Sequence, residues 1–404
     1  MYVRKIHENE LKRAEELFYI AFELKDTLTF DKNLSGESPK APDRVEHFSK
    51  EKWAAFDENE NMMGVFSSIP YEIQFDGNVC KMTGIGGVSC LPQHRRKGVI
   101  KACFQTSLKD MYLNGFAFSY LYPFSTAYYR KFGYELCSEV NHYCVSIKAF
   151  RHFDTGGEAY LVEHGNYLED IKKVYDDFKQ GYNLMVVREE YDYSWAVNVD
   201  PAKDGHYIYV YKNESGEPKG VMSFYKVESE HSSEMKCDRF FFSDMEGFKG
   251  LLNHALMFEA YYERITFSLP VNINIIPYIA ELVLYPCSRE MYLNGMARVV
   301  NVQKVLEMAQ YRGSGTIVMK ISDNMIEQNN ACFEVAFAQG HAERVSVTEK
   351  QPDVELSIAD FSRCIIGAYL PEEVLALESV KINSDAETIA KVFYKKPNFI
   401  ADYF

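Results

Sequence analysis

The sequence lacks an apolar run of the roughly 20 residues that a bilayer-spanning helix needs, which argues against an integral helical membrane protein. Acidic residues follow the N-terminal Met1-Tyr-Val-Arg-Lys-Ile-His directly, so this end does not predict a secretory signal peptide. Hydrophobic residues make up 47% and charged residues 25% of the 404 residues, as in ordinary globular proteins. We therefore expect a cytoplasmic protein with no membrane partner.

Cysteine pairs of the Cys-x-x-Cys type are also missing, and the nine cysteines are an odd number. Most of them, such as Cys103, Cys332 and Cys364, stand among apolar residues, where a thiol packs as a small apolar side chain. The ten histidines are scattered and form no recognisable spacing with cysteines or carboxylates. This pattern agrees with the cytoplasm and predicts no metal site.

Positive charge is scarce: 44 Lys and Arg against 58 Asp and Glu give a net charge of −14. Such a chain lacks the basic surface that binding to nucleic acid requires. Its overall field can steer a cationic substrate, although acidity can equally serve solubility alone. Aromatic residues, at 15%, are abundant and indicate large packing surfaces between domains or subunits.

The length of the chain predicts two or three domains. Residues 1–145 show a helix, antiparallel strands, a basic loop, a second helix and a buried strand; two of the strands are expected at 63–69 and 71–75. Residues 146–286 repeat part of this order without the basic loop, with an unrelated α/β domain as the alternative. Residues 287–404 mix strands and helices and end in an aromatic tail that we expect to dock.

The most informative segment is Val88-Ser-Cys-Leu-Pro-Gln-His-Arg-Arg-Lys-Gly-Val-Ile100. It follows an apolar, glycine-interrupted run that predicts a strand, and it begins a helix with one apolar face. The first-turn N–H groups of a helix lack intrahelical partners, Gly98 lets a ligand approach the backbone, and Arg95, Arg96 and Lys97 add positive charge. The segment therefore predicts a pyrophosphate site. A basic helix start on a solvated surface is the alternative interpretation.

This segment resembles the acetyl-CoA motif of the GNAT acetyltransferases, a hydrophobic strand followed by Arg/Gln-x-x-Gly-x-Gly/Ala. The run from Arg95 to Ile100 fits that pattern, except that Ile100 stands where a small residue is usual. The order of predicted elements in the first region is also the GNAT order. The resemblance implies that the bound pyrophosphate belongs to acetyl-CoA.

A second motif lies beyond the buried strand, where Tyr129, Phe132, Gly133 and Tyr134 fit the spacing Tyr-x-x-Phe-Gly-Tyr. This spacing is similar to that of GNAT enzymes whose tyrosine protonates the thiolate of CoA. A phenol with its ordinary pKa of about 10 keeps its proton at neutral pH and suits this role. Packing as one of many aromatic residues is the alternative for Tyr129, and Tyr128 is its nearest competitor as the acid.

Carboxylates are absent between Gly77 and Lys109. GNAT enzymes commonly deprotonate their amine substrate with a carboxylate near the middle strands. The strand and helix that flank the predicted cofactor site therefore carry no such base, and the base must come from elsewhere in the chain.

Together, the basic loop, the tyrosine motif and three regions ending in an aromatic residue resemble the Eis (enhanced intracellular survival) family of aminoglycoside-type N-acetyltransferases. The resemblance covers essentially the whole chain. It implies an α/β fold with mixed sheets, in which residues 1–145 and 146–286 are two fused GNAT-like domains and residues 287–404 are a sterol-carrier-like domain. It also implies a hexamer, with Tyr129 as the general acid and the terminal α-carboxylate of Phe404 as the general base.

The same resemblance implies contacts to acetyl-CoA from Val88, Ser89, Cys90, Arg95, Arg96, Lys97, Gly98, Val99, Ile100, Lys101, Phe124 and Ser125. A terminal carboxylate has an ordinary pKa near 3.5, so burial or a like charge must raise it before it works well as a base. Asp402 could supply that charge, with a solvent-facing position as the alternative. The Lys25–Lys50 loop, including Asp26, offers carboxylates for a polyamine, although such loops are usually just solvated.

The sequence thus predicts an acetyl-CoA-dependent N-acetyltransferase that acts on amines of a polycationic small molecule, by direct transfer in a ternary complex. A peptide-lysine or polyamine acetyltransferase would use the same site. A lipid or sterol carrier, with the third domain as the working part, is the alternative outside the enzyme class. The retained basic loop favours the enzyme.

Overall fold

The computed structural model describes residues 1–24, 41–229, 232–293 and 295–403. Phe404, the predicted base, lies outside these residues, as does the part of the Lys25–Lys50 loop that contains Asp26. Within the described ranges the chain has a mixed α/β fold built on three β-sheets. No helix in these ranges is long and apolar enough to cross a membrane.

The first 137 residues supply most of the first sheet. The strands are β1 (Tyr2–Lys5), β2 (Lys52–Phe56), β3 (Met62–Phe75), β4 (Asn78–Cys90), β5 (Phe118–Leu121) and β6 (Glu135–Leu136). The α-helices are α1 (Leu11–Phe22), α2 (Arg44–His47), α3 (Val99–Leu113) and α4 (Thr126–Arg130), and 3-10 turns cover Glu8–Glu10 and Pro92–His94. The apolar face expected for α3 is buried against the sheet, with Cys103, Phe104 and Leu108 at its centre.

The middle of the chain forms the second sheet and its helices. The strands are β7 (Glu139–Ser146), β8 (Glu158–Leu161), β9 (His206–Lys212), β10 (Pro218–Ser229), β11 (Ser232–Phe242), β12 (Arg264–Pro270) and β13 (Cys287–Leu293). The α-helices are α5 (Leu168–Lys179), α6 (Ser194–Val197), α7 (Pro201–Asp204) and α8 (Met245–Leu256), with 3-10 turns at Ile147–Ala149, Glu190–Tyr193 and Ile276–Tyr278.

The last part of the chain contributes one strand to the first sheet and builds the third sheet. The strands are β14 (Met296–Val299), β15 (Gly315–Ser322), β16 (Ala331–Ala338), β17 (His341–Thr348), β18 (Val354–Ser357) and β19 (Lys381–Ile382). The α-helices are α9 (Val302–Met308), α10 (Ile358–Ile366), α11 (Pro371–Leu375) and α12 (Ala386–Val392), with a 3-10 turn at Glu327–Asn329.

The first two sheets share one topology. The first has the order β1-β2-β3-β4-β5-β14-β6, and α3 joins its parallel pair β4 and β5. The second has the order β13-β7-β12-β11-β10-β9-β8, and α8 joins its parallel pair β11 and β12. The third sheet has the order β17-β16-β15-β18-β19. The second sheet thus repeats the order of antiparallel strands, crossover helix and parallel strand, as expected for a second GNAT-like half, and that assignment stays a prediction.

The sheets cross the domain boundaries expected near residues 145 and 286. Strand β7 begins at Glu139 but lies in the second sheet, between β12 and β13. Strand β14 follows residue 286 but lies in the first sheet, antiparallel to both β5 and β6. Local periodicity predicts that a strand exists, but it does not say which sheet will pair with it. The boundaries themselves stay a prediction.

One strand replaces the two expected at residues 63–69 and 71–75. Strand β3 runs without interruption through Pro70, which lies beyond the last residue pair with β2, Lys52 with Ser67. Proline has no N–H group, but no hydrogen bond between strands is lost, because β2 does not pair with β3 at Pro70. The Pro70 carbonyl accepts a hydrogen bond from Arg44 Nη1 at 2.6 Å.

The first sheet is buried on both faces. On one face, Phe66 stacks on Phe104 of α3, with ring centroids 4.9 Å apart. On the other face, Ile73 and Met82 belong to the same apolar core as the third sheet and its helices. The end of β4 and the start of α3 therefore stand on a rigid support.

Candidate active site

The carboxyl end of β4 has an open edge. Strands β4 and β5 pair only from Met82 to Ile85, whereas β4 continues to Cys90 and pairs there with β3 alone. Gly87, at φ +60°, lies in a register shift between β3 and β4 that bends this end of the strand. An extended ligand with amide groups can pair with such an edge as an added strand would. The predicted cofactor residues Val88, Ser89 and Cys90 all lie on it.

The start of α3 is free to bind an anion. The helix follows Gly98, whose φ is +79°, and neither a side-chain cap nor an acidic residue is present in its first turn. A Cβ atom added to Gly98 would meet no atom within 4 Å, so the space in front of the helix is open. The exposed Arg96 and Lys97 make no hydrogen bond or ion pair with the described residues. N–H groups, helix dipole and cations together favour a bound phosphate here.

The predicted cofactor residues of this loop divide by role. Lys101 is exposed, but the side chains of Val99 and Ile100 are buried in the core, which leaves only their N–H groups for a ligand. Arg95 braces the loop, since its Nη2 donates to the Ala21 carbonyl at 3.2 Å and its Nε to the Cys90 carbonyl at 3.4 Å.

The departure at Ile100 from the usual small residue has a local explanation. A Cβ atom on Gly64 of β3 would lie 3.1 Å from the Cδ1 atom of Ile100 and 2.8 Å from Cγ1 of Val99. The strand beneath the helix therefore lacks a side chain where Ile100 carries extra volume. The bulk of Ile100 points into the core and leaves the anion-binding face unchanged.

Helix α4 brings the aromatic motif next to the open edge. Ser125 caps this short helix by accepting a hydrogen bond from the N–H of Tyr128 at 3.4 Å. Phe124 is 73% exposed, and its ring packs against Tyr128 and Tyr129 at centroid distances of 5.3 and 5.5 Å. The two predicted cofactor residues of this segment, Phe124 and Ser125, thus lie beside both candidate acids.

Tyr129 is 3% exposed, and its ring packs against those of Phe104, Phe132 and Tyr134. Burial, with smaller effects of the Tyr128 and Tyr134 phenols, raises the pKa of Tyr129 well above its ordinary value. The phenol therefore keeps its proton across the physiological range. Among the described residues, none forms a hydrogen bond with its hydroxyl group.

Tyr128 remains the competitor. It is half-buried, and burial, together with the nearby thiols of Cys90 and Cys103, raises its pKa as well. The thiols place the Tyr128 phenol towards the end of β4 and the start of α3. Both phenols therefore keep their protons at neutral pH, and the assignment of the acid to Tyr129 stays a prediction.

The C-terminal tail reaches this site. The Tyr122 hydroxyl group, just after β5, donates to the backbone carbonyl of Asp402 at 2.9 Å, and its ring stacks on Tyr403 at 4.5 Å between centroids. The expected docking of the tail is confirmed for Asp402, whereas Tyr403 stacks on Tyr122 but is 76% exposed. The position of the Phe404 carboxylate itself lies outside the described residues.

Asp402 does not face solvent. Its carboxylate accepts hydrogen bonds from Arg188 Nε at 3.0 Å and Nη2 at 2.7 Å, and from the Tyr175 hydroxyl group at 3.4 Å. The sequence alone suggests that the negative charge of Asp402 acts on the Phe404 carboxylate. The positive charge of Arg188 offsets that negative charge. Neither Arg188 nor Tyr122 is identifiable from the sequence, because no local pattern connects them with a residue more than 200 positions later.

Comparison with known proteins matches the first and the last part of the chain to two protein families. The Acetyltransferase (GNAT) domain family matches residues 2–137, which hold the open edge, the basic loop and both tyrosines. Residues 2–137 are a GNAT acetyltransferase domain. The Sterol carrier protein domain family matches residues 302–401. The chain therefore carries a GNAT acetyltransferase domain at residues 2–137 and a sterol-carrier-like domain at residues 302–401.

Solved structures share this fold over the whole chain. A conserved protein of unknown function from Enterococcus faecalis V583 superposes with a TM-score of 0.86 at 19% identity, covering 100% of this chain and 99% of that one. A GCN5-related N-acetyltransferase from Anabaena variabilis gives 0.85 at 15% identity, with coverage of 100% and 99%. Eis1 from Mycobacterium abscessus gives 0.80 at 18% identity, with coverage of 100% of both chains. No curated protein matches the sequence.

These likenesses confirm the Eis-like order of domains and fold that the sequence motifs indicate. At such low identity they establish the fold alone. Within the described ranges, no three His, Cys, Asp or Glu side chains are grouped so that they could hold a metal ion.

Proposed function

We propose that the GNAT domain of this protein binds acetyl-CoA and transfers the acetyl group to an amine of a polycationic, aminoglycoside-like small molecule, in a direct ternary complex. The observation that carries the proposal is the meeting of two features at one place. The open edge of β4 suits the amide-bearing arm of CoA, and the uncapped start of α3 suits its pyrophosphate.

The residues that would hold acetyl-CoA follow from this placement. The backbone of Val88, Ser89 and Cys90 would pair with the pantetheine amides along the open edge. Arg96 and Lys97 would pair with the phosphates, beside the first-turn N–H groups and Gly98. Phe124 and Ser125 would flank the arm on the side of α4.

Proton transfer is the task left to the side chains, since bound acetyl-CoA supplies an already reactive thioester. The terminal carboxylate of Phe404 would take the proton that a substrate ammonium must lose before its nitrogen attacks the carbonyl carbon. Tyr129 would give its phenolic proton to sulfur as the carbon–sulfur bond breaks. The newly acylated nitrogen loses its second proton, which restores the phenol. Burial of Tyr129 supports the role of acid, because it keeps the phenol protonated.

The substrate class rests on charge. A net charge of −14 favours a cationic acceptor, and the same site would serve a polyamine or a peptide lysine. Release of free CoA should be measured with aminoglycosides, spermidine and lysine peptides as acceptors. Fastest turnover with aminoglycosides supports the proposal, and turnover confined to peptides contradicts it. The proposal also takes the enzyme to be a cytoplasmic hexamer, in keeping with its nine free thiols and abundant aromatic residues.

The proposed base is tested by moving it. A C-terminal extension of a few Gly and Ser residues replaces the Phe404 carboxylate by an amide and leaves the docked residues up to Tyr403 unchanged. We expect turnover to fall by about 10²–10⁴-fold, the usual contribution of a general base. Melting temperature and acetyl-CoA affinity should stay as they are.

The matched control carries the same extension at Met1. This end precedes β1 and is exposed, so its extension should leave turnover unchanged. Normal turnover by the C-terminally extended enzyme would place the base elsewhere and overturn that part of the proposal.

A further inference from the structure

The tail segment, residues 395–403, is held at its start by its own domain, where the N–H of Lys396 donates to the Gly367 carbonyl at 3.1 Å, and further on by the second domain. Asn183 forms two backbone hydrogen bonds with it: its N–H donates to the Pro397 carbonyl at 2.9 Å, and its carbonyl accepts from the N–H of Phe399 at 3.0 Å. The Phe399 ring lies in the core of the second domain, against Phe178 and Tyr182. The tail is therefore joined to a segment of the second domain by one parallel β-bridge, between Asn183 and Asn398.

The same segment of the second domain also forms backbone hydrogen bonds with the GNAT domain. Gln74 of β3 forms two backbone hydrogen bonds with this segment. The N–H of Gln74 donates to the Met185 carbonyl at 2.9 Å, and the N–H of Leu184 donates to the Gln74 carbonyl at 2.8 Å. The N–H of Val187 donates to the Glu72 carbonyl at 2.8 Å. Residues 183–187 thus bridge the GNAT domain and the tail, and Arg188 follows at once.

Arg188 fixes the last part of the tail. Its side chain is 3% exposed, and its guanidinium lies 3.8 Å from the centre of the Tyr175 ring while two of its nitrogens bind the Asp402 carboxylate. Both nitrogens donate to the same oxygen, Oδ1, and the planar guanidinium holds these two donors in a fixed arrangement, so it restricts where Asp402 can lie. Asp402 and Tyr403 in turn contact Tyr122 at the edge of the candidate active site.

Stability alone does not account for this ion pair. Burying two charges costs desolvation, and well-packed apolar side chains of similar volume often serve stability as well or better. The Arg188 Nη1 atom is moreover buried without a hydrogen-bond partner among the described residues, which is itself unfavourable. What such a pair does provide is a fixed geometry.

We propose that Arg188 is a positioning residue that seats the chain end against the active site of the GNAT domain. The second domain then keeps a function, since it holds the catalytic end of the chain. This inference rests on the proposed function insofar as the seated end carries the base. The seating itself has a readout of its own, because a seated C-terminus resists digestion by a carboxypeptidase.

The principal variant is Arg188→Met, which keeps an unbranched apolar stem and removes the fork. We expect kcat to fall by about 10²-fold, since small misplacements of a reacting group have effects of that size. The KM for acetyl-CoA should change less than about twofold, because the cofactor residues are untouched. Release of C-terminal residues by carboxypeptidase should become about 10²-fold faster, as expected when a buried pair loses one partner.

Two further variants test whether the effects come from the guanidinium of Arg188. Arg188→Lys keeps the charge without the fork and should recover part of both kcat and protection. Lys395→Met removes another ion pair of the tail segment, seven residues before Asp402, between Lys395 Nζ and Glu139 Oε2 at 2.9 Å, together with the hydrogen bond from Lys395 Nζ to the Ala368 carbonyl at 2.7 Å. This control should leave kcat and protection at the level of the unmodified enzyme. If Arg188→Met fails to fold, Arg188→Met with Asp402→Leu removes both buried charges and should show the same two losses.

The outcomes separate the two proposals. Faster digestion together with slower turnover supports both. Faster digestion with full turnover supports the seating by Arg188 and overturns the terminal base instead. Unchanged digestion, whatever the turnover, overturns the role of Arg188 proposed here.

Discussion

The two GNAT-like halves differ most where a strand leads into the crossover helix. In the first, residues 91–98 separate β4 from α3 and supply three cations and Gly98. In the second, only Ser243 and Asp244 separate β11 from α8. The Asp244 carboxylate accepts from the N–H groups of Glu246 and Gly247 at 2.9 and 3.1 Å, so the helix start already holds a negative charge of its own.

The charge of the first helical turn differs in the same direction. Glu246 adds a further negative charge to the first turn of α8, whereas the first turn of α3 contains no acidic residue. The two sheets share one topology, so the predicted cofactor site depends on the loop and not on the fold. The first half carries that loop, and the second half contacts the tail.

The largest effect should come from one hydroxyl group of the first half. Tyr129→Phe preserves the aromatic packing and removes the proposed acid, so we expect kcat to fall by about 10²–10⁴-fold with acetyl-CoA affinity little changed. Tyr128→Phe is the matched control on the same helix and should retain most of the turnover. Steady-state kinetics with both variants decide between them, and the reverse ranking would give the role to Tyr128.

The next prediction concerns the number of cofactor sites. Arg96→Ala together with Gly98→Asp removes a cation from the first half and places a carboxylate at its helix start, as Asp244 does in the second. Loss of a charged hydrogen bond and added repulsion should weaken acetyl-CoA binding by about 10³-fold. Titration calorimetry should show one site per chain, lost in this variant. Two sites, or unchanged affinity, would contradict the difference between the halves.

The smallest effect is expected in the second half. Asp244→Ala removes the cap of α8 and should lower the free energy of unfolding by about 1 kcal/mol, as measured by urea denaturation. It should not create a second cofactor site, because Glu246 remains and the two-residue connection before α8 supplies no cation. Asp385→Ala removes the corresponding cap of α12, where the N–H of Thr388 donates at 2.8 Å, and serves as the control. A gain of acetyl-CoA binding in Asp244→Ala alone would show that the cap by itself blocks the site.

Several features of the site could be predicted because their causes are local. A glycine before an amphipathic helix, with cations beside it, has the same consequence in any fold, so the anion site at Gly98 follows from a dozen neighbouring residues. Ile100 is a departure that sequence can note but not interpret. Its explanation lies in Gly64, which only the packing of α3 on β3 brings opposite to it.

The sequence by itself determined the strand, loop and helix of the proposed cofactor site, the aromatic motif around Tyr129, and the absence of a carboxylate between Gly77 and Lys109. Periodicity and spacing carry these features, since they depend on residues a few positions apart. Only the tertiary structure decided that β14 completes the first sheet and that Arg188 binds Asp402. Pairings over such separations depend on how whole sheets pack, and no local pattern in the chain encodes them.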